Sequence, residues 1–426
     1  MSISKEMYKA FSHSVNFFAG HEPRPNIYRT PGNPTTGYVM VTMPFSGIIT
    51  RDGKDITTDK FKIAYTIWGN KGPLVAILHG VPTNKKQWYP VQKRMASFCR
   101  TISFDMLGMG ESDHPREYGK DSKLPSGWKP WLWQYDALWV EQVMQTLYPN
   151  EKFGFVADDW GGGINLHYAV QYPNRLTWIG FLDPIAFDGY PVNEIQAIGR
   201  GSMIRNPEEF MKAFGVADQT MVQIFKTMVY DPNKYNQYNL RDIIGTYVRV
   251  DYDTLDSDSL TMGLDLNALR VLADRSAILA PKLLLPYDLE LNPFGVDYSK
   301  ITIPVIVLWG EFDNMMPANQ IYRFANAIHN APVHIGLIPR AGHFAATDQP
   351  DKVAEELLNF MREHMGITAL ADIFLGFTGI WKGDEELLIR DLRRIYGKES
   401  PPESISVIDS VIPIIRPIKE AKVIIK

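Results

Sequence analysis

Three residues of the chain, Asp159, Asp313 and His343, have the types and the order of a nucleophile, an acid and a base. Asp159 stands in a turn of small residues between an apolar segment, 154–157, and a segment of helical composition, 164–172. Such a strained strand-to-helix turn holds one side chain out above a sheet. A carboxylate there would attack an sp3 carbon that carries a leaving group, and water would then hydrolyse the alkyl ester. The alternative role of this aspartate is to cap the following helix.

The two partners of Asp159 each follow a predicted buried strand. Asp313 lies in the loop after 304–310, and His343 comes after the strand 334–338 and an Ala-Gly pair. A lone histidine in a loop is usually a solvated surface residue. Its place after a strand, with an aspartate in the preceding loop, favours a general base instead.

A His-Gly-Val-Pro turn, 79–82, follows the apolar strand 74–78 at the end of the sheet where ligands collect in open α/β folds. The turn would aim the backbone N–H of Val81 at the site, and the N–H of Trp160 would point there from the Asp159 turn. Two such donors form an oxyanion hole. Alone, the tetrapeptide is equally typical of a structural turn, and its position upstream of Asp159 favours the catalytic role.

Composition limits the classes of protein to consider. The chain has 426 residues, 45% of them hydrophobic, and a formal charge of -4, which predicts a soluble protein without a nucleic-acid or anionic-membrane partner. The single cysteine, Cys99, excludes an internal disulfide and a cysteine metal cluster. The first residues show no secretory signal, and no run of eighteen apolar residues occurs. We therefore expect a cytoplasmic protein without a transmembrane segment.

Apolar strands alternate with helical segments on both sides of Asp159, which predicts an α/β fold with a mostly parallel sheet. Between about 185 and 301 the alternation stops, and a helix-rich segment of the kind that forms lids intervenes. Its helical candidates are 207–214, 219–229, 240–250 and 266–275. The predicted divisions are an N-terminal arm, 1–35; a core, 36–186 and 301–367; a helical cap, 187–300; and a C-terminal extension, 368–426.

These segments together resemble the α/β-hydrolase superfamily, and more closely its aspartate-nucleophile branch, which contains epoxide hydrolases and haloalkane dehalogenases. The resemblance covers about 61–365. The motifs that carry it are 79–82, 105–113, 159–162, 310–313 and 342–344. Asp-Trp-Gly-Gly at 159–162 is typical of the branch, and the other motifs mark the superfamily. The resemblance implies an α/β-hydrolase fold, helices on both faces of the sheet, a helical cap inserted after the nucleophile half, and no metal or organic cofactor.

The resemblance leaves two activities open. Haloalkane dehalogenases hold the halide with the indole after the nucleophile and with a second donor, an asparagine after His-Gly or a lid tryptophan. Here Trp160 is present, but position 81 is valine and 187–300 contains no tryptophan. However, the motifs 110–113 and 342–344 are at least as similar to dehalogenases, and Asp158 stands where epoxide hydrolases usually have histidine.

Epoxide hydrolases hydrogen-bond the opening oxygen with lid tyrosines, since a phenol is more acidic than the alcohol product. The cap tyrosines are Tyr190, Tyr230, Tyr235, Tyr238, Tyr247, Tyr252, Tyr287 and Tyr298. We favour Tyr230 and Tyr287, which stand early and late in the cap.

The sequence thus predicts a hydrolase that opens small apolar epoxides to vicinal diols through an ester on Asp159. Water activated by His343, with Asp313 as its partner, would hydrolyse the ester. A haloalkane dehalogenase with the same nucleophile is the alternative. A hypothesis of another class is a non-catalytic binding protein on a retained hydrolase scaffold, in which the extension 368–426 contacts a second copy or another partner.

Overall fold

The computed structural model describes part of the chain. The described ranges are 32–49, 55–70, 72–113, 132–187, 190, 192–201, 217–235, 237–244 and 295–364, with short pieces within 204–213 and 248–279. The predicted extension 368–426 and nearly all of the predicted arm 1–35 lie outside these residues, and so does Tyr287.

The strands of the described part form one large sheet and one small one. They are β1 (Thr35–Ile49), β2 (Asp55–Trp68), β3 (Leu74–Leu78), β4 (Arg100–Phe104), β5 (Phe153–Asp158), β6 (Leu176–Pro184), β7 (Val248–Val250), β8 (Met262–Leu264), β9 (Val305–Gly310) and β10 (Val333–Ile338).

The large sheet has eight strands in the order β1-β2-β4-β3-β5-β6-β9-β10. The pairs β1–β2 and β2–β4 are antiparallel, and every other neighbouring pair is parallel. A parallel strand is covered on both faces, which is why Leu74–Leu78 is apolar throughout and every residue in it is buried. The predicted α/β architecture, a mostly parallel sheet with helices, is confirmed.

Helices connect and cover the strands. They are α1 (Tyr89–Met95), α2 (Trp133–Leu147), α3 (Asp159–Gln171), α4 (Asn193–Arg200), α5 (Ala217–Met228), α6 (Gln237–Ile244), α7 (Gln320–Ala327), α8 (Ala345–Asp348) and α9 (Pro350–His364), with 3-10 turns at Lys85–Trp88, Pro173–Arg175, Pro232–Lys234 and Tyr298–Lys300. Within the described part of the chain, none of the helices is both long and apolar enough to cross a membrane.

Two apolar layers fill the space between the sheet and its helices. Successive residues of a strand point to opposite faces, so Ala76 and Leu78 join one layer and Val75 and Ile77 the other. Residues of α2, α3 and the cap belong to the first layer, and residues of α1 and α9 belong to the second. This packing fixes the carboxyl ends of the parallel strands, where the candidate residues lie.

The predicted cap segment differs from the prediction in several elements. The predicted helix 240–250 is wrong in its second half, because α6 ends at Ile244 and Val248–Val250 forms a strand that pairs antiparallel with Met262–Leu264. Val-Arg-Val alternates apolar and polar residues and is rich in β-branched side chains, which favours a strand over a helix. Helix Asn193–Arg200 was not predicted, and the candidates 207–214 and 266–275 lie largely outside the described residues.

Several polar contacts join the predicted cap segment to the core. The guanidinium of Arg275 donates to the Asp136 carboxylate of α2, with Nη2 at 2.6 Å from Oδ2, and both side chains are buried. The backbone N–H of His343 donates to the carbonyl oxygen of Met228, at the end of α5, at 2.6 Å. The cap therefore contacts the loop that carries the predicted base.

Candidate active site

The turn at Asp159 has the strained backbone that the sequence predicts. Asp159 has a φ of 47°, in the left-handed region that non-glycine residues rarely adopt. Small neighbours make the turn possible, since a Cβ on Gly80 would lie 2.4 Å from the Asp159 Cβ and one on Gly161 would lie 2.6 Å from the His79 carbonyl oxygen. Asp159 is the first residue of α3, and its carboxylate is directed to other partners instead of capping the helix.

Four of the predicted site residues come together in a buried cluster. Nδ1 of His343 is 2.8 Å from Oδ2 of Asp313, and Nε2 of His343 is 3.2 Å from Oδ1 of Asp159. The backbone N–H of Val81 donates to the other carboxylate oxygen of Asp159, Oδ2, at 2.7 Å. An imidazole in contact with both carboxylates can take a proton from a water molecule beside Asp159, while Asp313 supports the charge on the ring.

Asp313 is held as an acceptor by four donors. Oδ1 accepts the backbone N–H groups of Met315 and Met316, both at 2.8 Å. Oδ2 accepts the indole N–H of Trp309 at 3.1 Å in addition to the bond from His343. Hydrogen bonds to the charged form favour that form, so Asp313 is suited to carry a negative charge next to the imidazole.

The loop before His343 is held by Asp348 of α8. Oδ2 of Asp348 accepts the backbone N–H of Gly342 at 2.9 Å and that of Tyr230 at 2.8 Å, and Oδ1 accepts the hydroxyl of Tyr235 at 2.9 Å. The Asp348 carboxylate thus links the loop before His343 to the predicted cap segment. This link restrains the backbone that carries the His343 ring.

The environment of His343 favours its charged form. Burial opposes the charge, but the Asp313 charge, the hydrogen bonds to both aspartates and the Asp159 charge outweigh burial and raise the pKa of His343 well above its usual value. The raised pKa of His343 favours an imidazolium next to the Asp159 carboxylate, at 3.2 Å. The pKa of His343 depends directly on whether Asp159 carries its charge.

Asp158, the neighbour of the nucleophile candidate, faces a different set of partners. Its carboxylate oxygens accept from Gln87 Nε2 and from the Trp88 indole, both at 2.6 Å. Burial and, to a smaller extent, the Asp159 charge raise the pKa of Asp158 to about 7, against the effect of these two hydrogen bonds. Adjacent aspartates thus have separate roles, since Asp158 anchors the strand end to the turn before α1.

The tyrosines of the cap differ in how close they come to the cluster. The Tyr190 hydroxyl accepts a hydrogen bond from the indole N–H of Trp160 at 2.9 Å, and burial together with the Asp159 charge raises the pKa of Tyr190 well above its usual value. The ring of Tyr230 is 41% exposed and packs against Phe312 at the surface, with ring centroids 5.0 Å apart. Of the cap tyrosines in the described residues, Tyr190 is therefore the one with a contact at the nucleophile turn.

Trp160 was predicted to supply a backbone donor to the oxyanion hole. It lies in the first turn of α3, where backbone N–H groups have no acceptor within the helix. The position next to Asp159 suits that role. The same residue also presents its indole N–H to Tyr190, and this second contact was not predicted.

Asp183 is a buried carboxyl that the sequence analysis did not single out. It lies near the end of β6, and one of its oxygens lies within 4.8 Å of a ligand atom of Asp313 and of one of His343. Asp183 could have been found by the pattern that identified the other acids, namely a polar residue at the carboxyl end of a parallel strand.

Two clusters in the described part of the chain have the residue types of metal ligands. The first is Asp183, Asp313 and His343, whose members are engaged in the contacts above. The second is His334, Glu363 and His364. Here the two Nε2 atoms are 2.8 Å apart, whereas the Glu363 carboxylate lies 3.8 Å from Nδ1, on the opposite edge of the His334 ring. This is the arrangement of a hydrogen-bonded chain, because the carboxylate and His364 approach different nitrogens of His334.

Comparison with known proteins gives consistent matches. The family model described as alpha/beta hydrolase fold matches residues 73–350. Epoxide hydrolase 3 of Xenopus tropicalis is 21% identical over 309 residues, which cover 70% of this chain and 74% of that protein.

Two solved structures have the same fold. Epoxide hydrolase CorEH without ligand aligns with a TM-score of 0.54 at 18% identity and covers 78% of this chain and 99% of that chain. A loop variant of haloalkane dehalogenase DbeA from Bradyrhizobium elkanii aligns with a TM-score of 0.52 at 14% identity and covers 76% of this chain and 95% of that chain. At these identities, the structural matches show the fold alone.

Proposed function

The chain belongs to the alpha/beta hydrolase fold family, and from this premise we propose that it opens small apolar epoxides to vicinal diols through an alkyl ester on Asp159. The observation that carries the proposal is the contact of 3.2 Å between Oδ1 of Asp159 and Nε2 of His343. A serine hydrolase would have a hydroxyl at this point, which the imidazole deprotonates. A carboxylate needs no such activation, and its natural target is an electrophilic sp3 carbon.

In the first half of the reaction, Oδ1 of Asp159 attacks a ring carbon and the bond from that carbon to the epoxide oxygen breaks. Oδ2 stays in its hydrogen bond with the Val81 N–H and becomes the carbonyl oxygen of the ester. The developing alkoxide accepts a hydrogen bond from Tyr190, whose hydroxyl proton is free to turn to it because the oxygen already accepts from the Trp160 indole. The raised pKa of Tyr190 keeps this phenol protonated at neutral pH.

The second half uses the change of charge that the first half produces. The Asp159 charge and the hydrogen bond to Asp159 are among the causes that raise the pKa of His343, and both are lost when Asp159 becomes an ester. The pKa of His343 then falls, and the imidazolium loses its proton, which neutralises the alkoxide formed by ring opening. The neutral imidazole can then take a proton from water. Hydroxide adds to the ester carbonyl, and the oxyanion at Oδ2 is held by the Val81 N–H and the proposed Trp160 N–H. Collapse of this intermediate breaks the bond between Cγ and Oδ1, and the His343 imidazolium gives its proton to Oδ1, which leaves as the second hydroxyl of the diol. The new carboxylic acid then returns a proton to His343, which regenerates the Asp159 carboxylate with an oxygen from water.

The test uses two variants and a mass measurement. Asp159→Asn removes the nucleophile with little change of shape, and we expect it to abolish the conversion of styrene oxide to its diol. His343→Gln removes the base, and we expect the ester to accumulate as a mass increase on the peptide that contains Asp159. Asp231→Asn, at a half-buried aspartate of the predicted cap whose carboxylate accepts the Asn233 N–H, is the matched control and should behave as wild type. Normal turnover by Asp159→Asn would contradict the mechanism, and a His343→Gln protein that never carries an ester would favour the binding-protein hypothesis.

Haloalkane dehalogenation is the second candidate, and one observation favours it. The indole N–H of Trp160 and the hydroxyl of Tyr190 lie side by side, and two uncharged donors of this kind can hold a departing halide. The two activities are separated by incubation with styrene oxide and with 1-bromobutane. Release of bromide without formation of diol would replace the epoxide proposal by the dehalogenase one, whereas diol formation alone supports the former.

A further inference from the structure

Asp183 lies near the carboxyl end of its strand, next to the strand that ends at the Asp159 turn. The parallel ladder between β5 and β6 pairs Asp158 with Leu182, and a further bridge pairs Asp159 with Pro184, the residue after Asp183. Asp183 also has a left-handed backbone, with a φ of 45° against 47° for Asp159. Strained non-glycine residues of this kind persist where the surrounding structure fixes them, and they cluster at functional sites.

The Asp183 carboxyl is completely buried and only partly hydrogen-bonded. Oδ1 accepts the backbone N–H of Gly310 at 2.6 Å, and Oδ2 is buried with no hydrogen-bond partner among the residues that the structure describes. The ionisable groups that act on it in that part of the chain are Asp313, His343 and Asp158, and none of them is a lysine or an arginine.

Asp183 and Asp313 therefore compete for a single cation. Ligand atoms of the two carboxyls and of the His343 ring all lie within 4.8 Å of one another. Two buried carboxylates at such a distance do not both stay ionised at neutral pH, and the proton goes to the one whose charge is less well stabilised. Asp313 has four donors, and Asp183 has the single N–H of Gly310. Burial and then the Asp313 charge accordingly raise the pKa of Asp183 well above its usual value.

We propose that Asp183 is a positioning residue of the triad that carries a proton and donates it, through Oδ2–H, in a hydrogen bond to the Asp313 carboxylate. The buried oxygen without a partner then has one, and the two carboxyls share one negative charge beside His343. For its catalytic meaning this inference rests on the proposed function, but the charge state of Asp183 can be measured without any substrate.

The shared charge has a consequence for catalysis. If Asp183 were ionised, a second negative charge would hold His343 in its imidazolium form even after Asp159 has become an ester, and the attack of water would stall. A neutral Asp183 lets the imidazole lose its proton at that stage. Asp183 can also replace Asp313 as the charged group. The Asp313 charge is one cause of the raised pKa of Asp183, so Asp183 ionises when that charge is lost.

The experiment follows the His343 imidazole by NMR in protein with labelled histidines, with the resonance assigned by its loss in His343→Gln. The pKa of His343 is measured in wild type, Asp183→Asn, Asp313→Asn and the double variant. Asp183→Asn removes no charge, so the pKa of His343 should shift by less than about half a unit. Asp313→Asn should lower it only partly, and the double variant should lower it by a further one to three units, roughly the effect of one neighbouring charge.

Two results would overturn the inference. A fall of about one unit or more in Asp183→Asn alone would mean that Asp183 is ionised in wild type. A double variant equal to Asp313→Asn would mean that Asp183 never takes the charge. A purely structural role of Asp183 predicts a small shift in Asp183→Asn as well, but no further fall of the His343 pKa in the double variant. Asp158→Asn is the control for the other carboxyl that acts on Asp183, and it should leave the difference between the single and double Asp313 variants unchanged.

A measurement on wild type keeps the inference testable if a variant fails to fold. With 13C-labelled aspartate, the Asp183 carboxyl carbon, assigned through its Cβ, should keep the chemical shift of a protonated acid through pH 7. A carboxylate shift at that pH would refute the proposal. Neither NMR result depends on turnover, so a failure of the ester-trapping test on Asp159 and a failure of this inference can be told apart.

Discussion

The indole N–H of Trp160 donates a hydrogen bond of 2.9 Å to the hydroxyl of Tyr190, and both side chains are buried. The residue that follows the nucleophile candidate is therefore linked directly to a cap tyrosine. A phenol that accepts from an indole is left with its own proton to donate, and the Asp159 charge is close enough to affect its pKa. This relationship makes Tyr190 the stronger candidate for the oxygen donor than Tyr230, which packs at the surface.

Replacement of Tyr190 should slow the alkylation of Asp159. In Tyr190→Phe the departing oxygen loses its donor, and we expect the single-turnover rate of ester formation with styrene oxide to fall by about 10²–10⁴-fold, the usual effect of a general acid. Tyr230→Phe is the comparison and should change that rate less than about two-fold, because its ring is exposed. The opposite order of the two effects would return the role to Tyr230.

Replacement of Asp348 should impair ester hydrolysis more than ester formation. The two oxygens of the Asp348 carboxylate accept the N–H groups of Gly342 and Tyr230 and the hydroxyl of Tyr235. In Asp348→Asn only one side-chain oxygen is left to accept these hydrogen bonds. We expect a loss of about 1–3 kcal/mol in the free energy of unfolding, from chemical denaturation, and a slower second half-reaction. Tyr235→Phe, which removes a single one of these bonds, should show a smaller loss. Equal slowing of both half-reactions would mean that Asp348 does not act through the His343 loop.

A methyl group on Gly80 should obstruct the nucleophile. In Gly80→Ala the new Cβ would lie 2.4 Å from the Cβ of Asp159 and 2.8 Å from its Oδ2, so the carboxylate must move. We expect ester formation to be lost or reduced by at least about 100-fold, since a displacement of about 1 Å is enough for that. Gly336→Ala in β10 is the control, because its Cβ would meet the end of the Leu308 side chain at 3.1 Å, away from the cluster. Wild-type kinetics in Gly80→Ala would contradict the arrangement of the turn.

The raised pKa of His343 predicts a pH dependence of stability. The folded protein holds this proton more tightly than the unfolded chain, whose histidine titrates at about 6.5. The ion-pair contribution is therefore fully present below that pH and is lost as the pH rises through the folded pKa. Urea unfolding of wild type and His343→Gln across this range should give a stability difference that shrinks with increasing pH. A difference independent of pH would mean that His343 is neutral in the fold.

Much of the site was predictable because it depends on strand ends. Asp159, Asp313 and His343 each follow a predicted strand, and the carboxyl ends of parallel strands meet at one edge of a sheet. The structure does bring the three together, and their chemical roles remain predictions. Asp183 follows the same rule and could have been found by it, since it stands at the end of β6.

The contacts of the cap were not predictable in the same way. The order of the tyrosines along the predicted cap does not indicate which of them are buried next to Asp159. Tyr190 and Tyr230 could therefore not be ranked from the sequence. Short segments were also ambiguous, because Val248–Val250 fits the end of an amphipathic helix as well as a three-residue strand until its partner Met262–Leu264 is known. These features depend on tertiary packing, which local patterns do not encode.

The buried pair of Arg275 and Asp136 limits how the protein could be shortened. Burial raises the pKa of Asp136 and the Arg275 charge opposes that rise, so the carboxylate depends on an arginine that belongs to the predicted cap. Excision of 187–300 would leave this acid in an apolar interior without a counter-charge, at a cost of about 3–5 kcal/mol. A derivative without 187–300 would therefore need a neutral side chain at position 136 to remain folded.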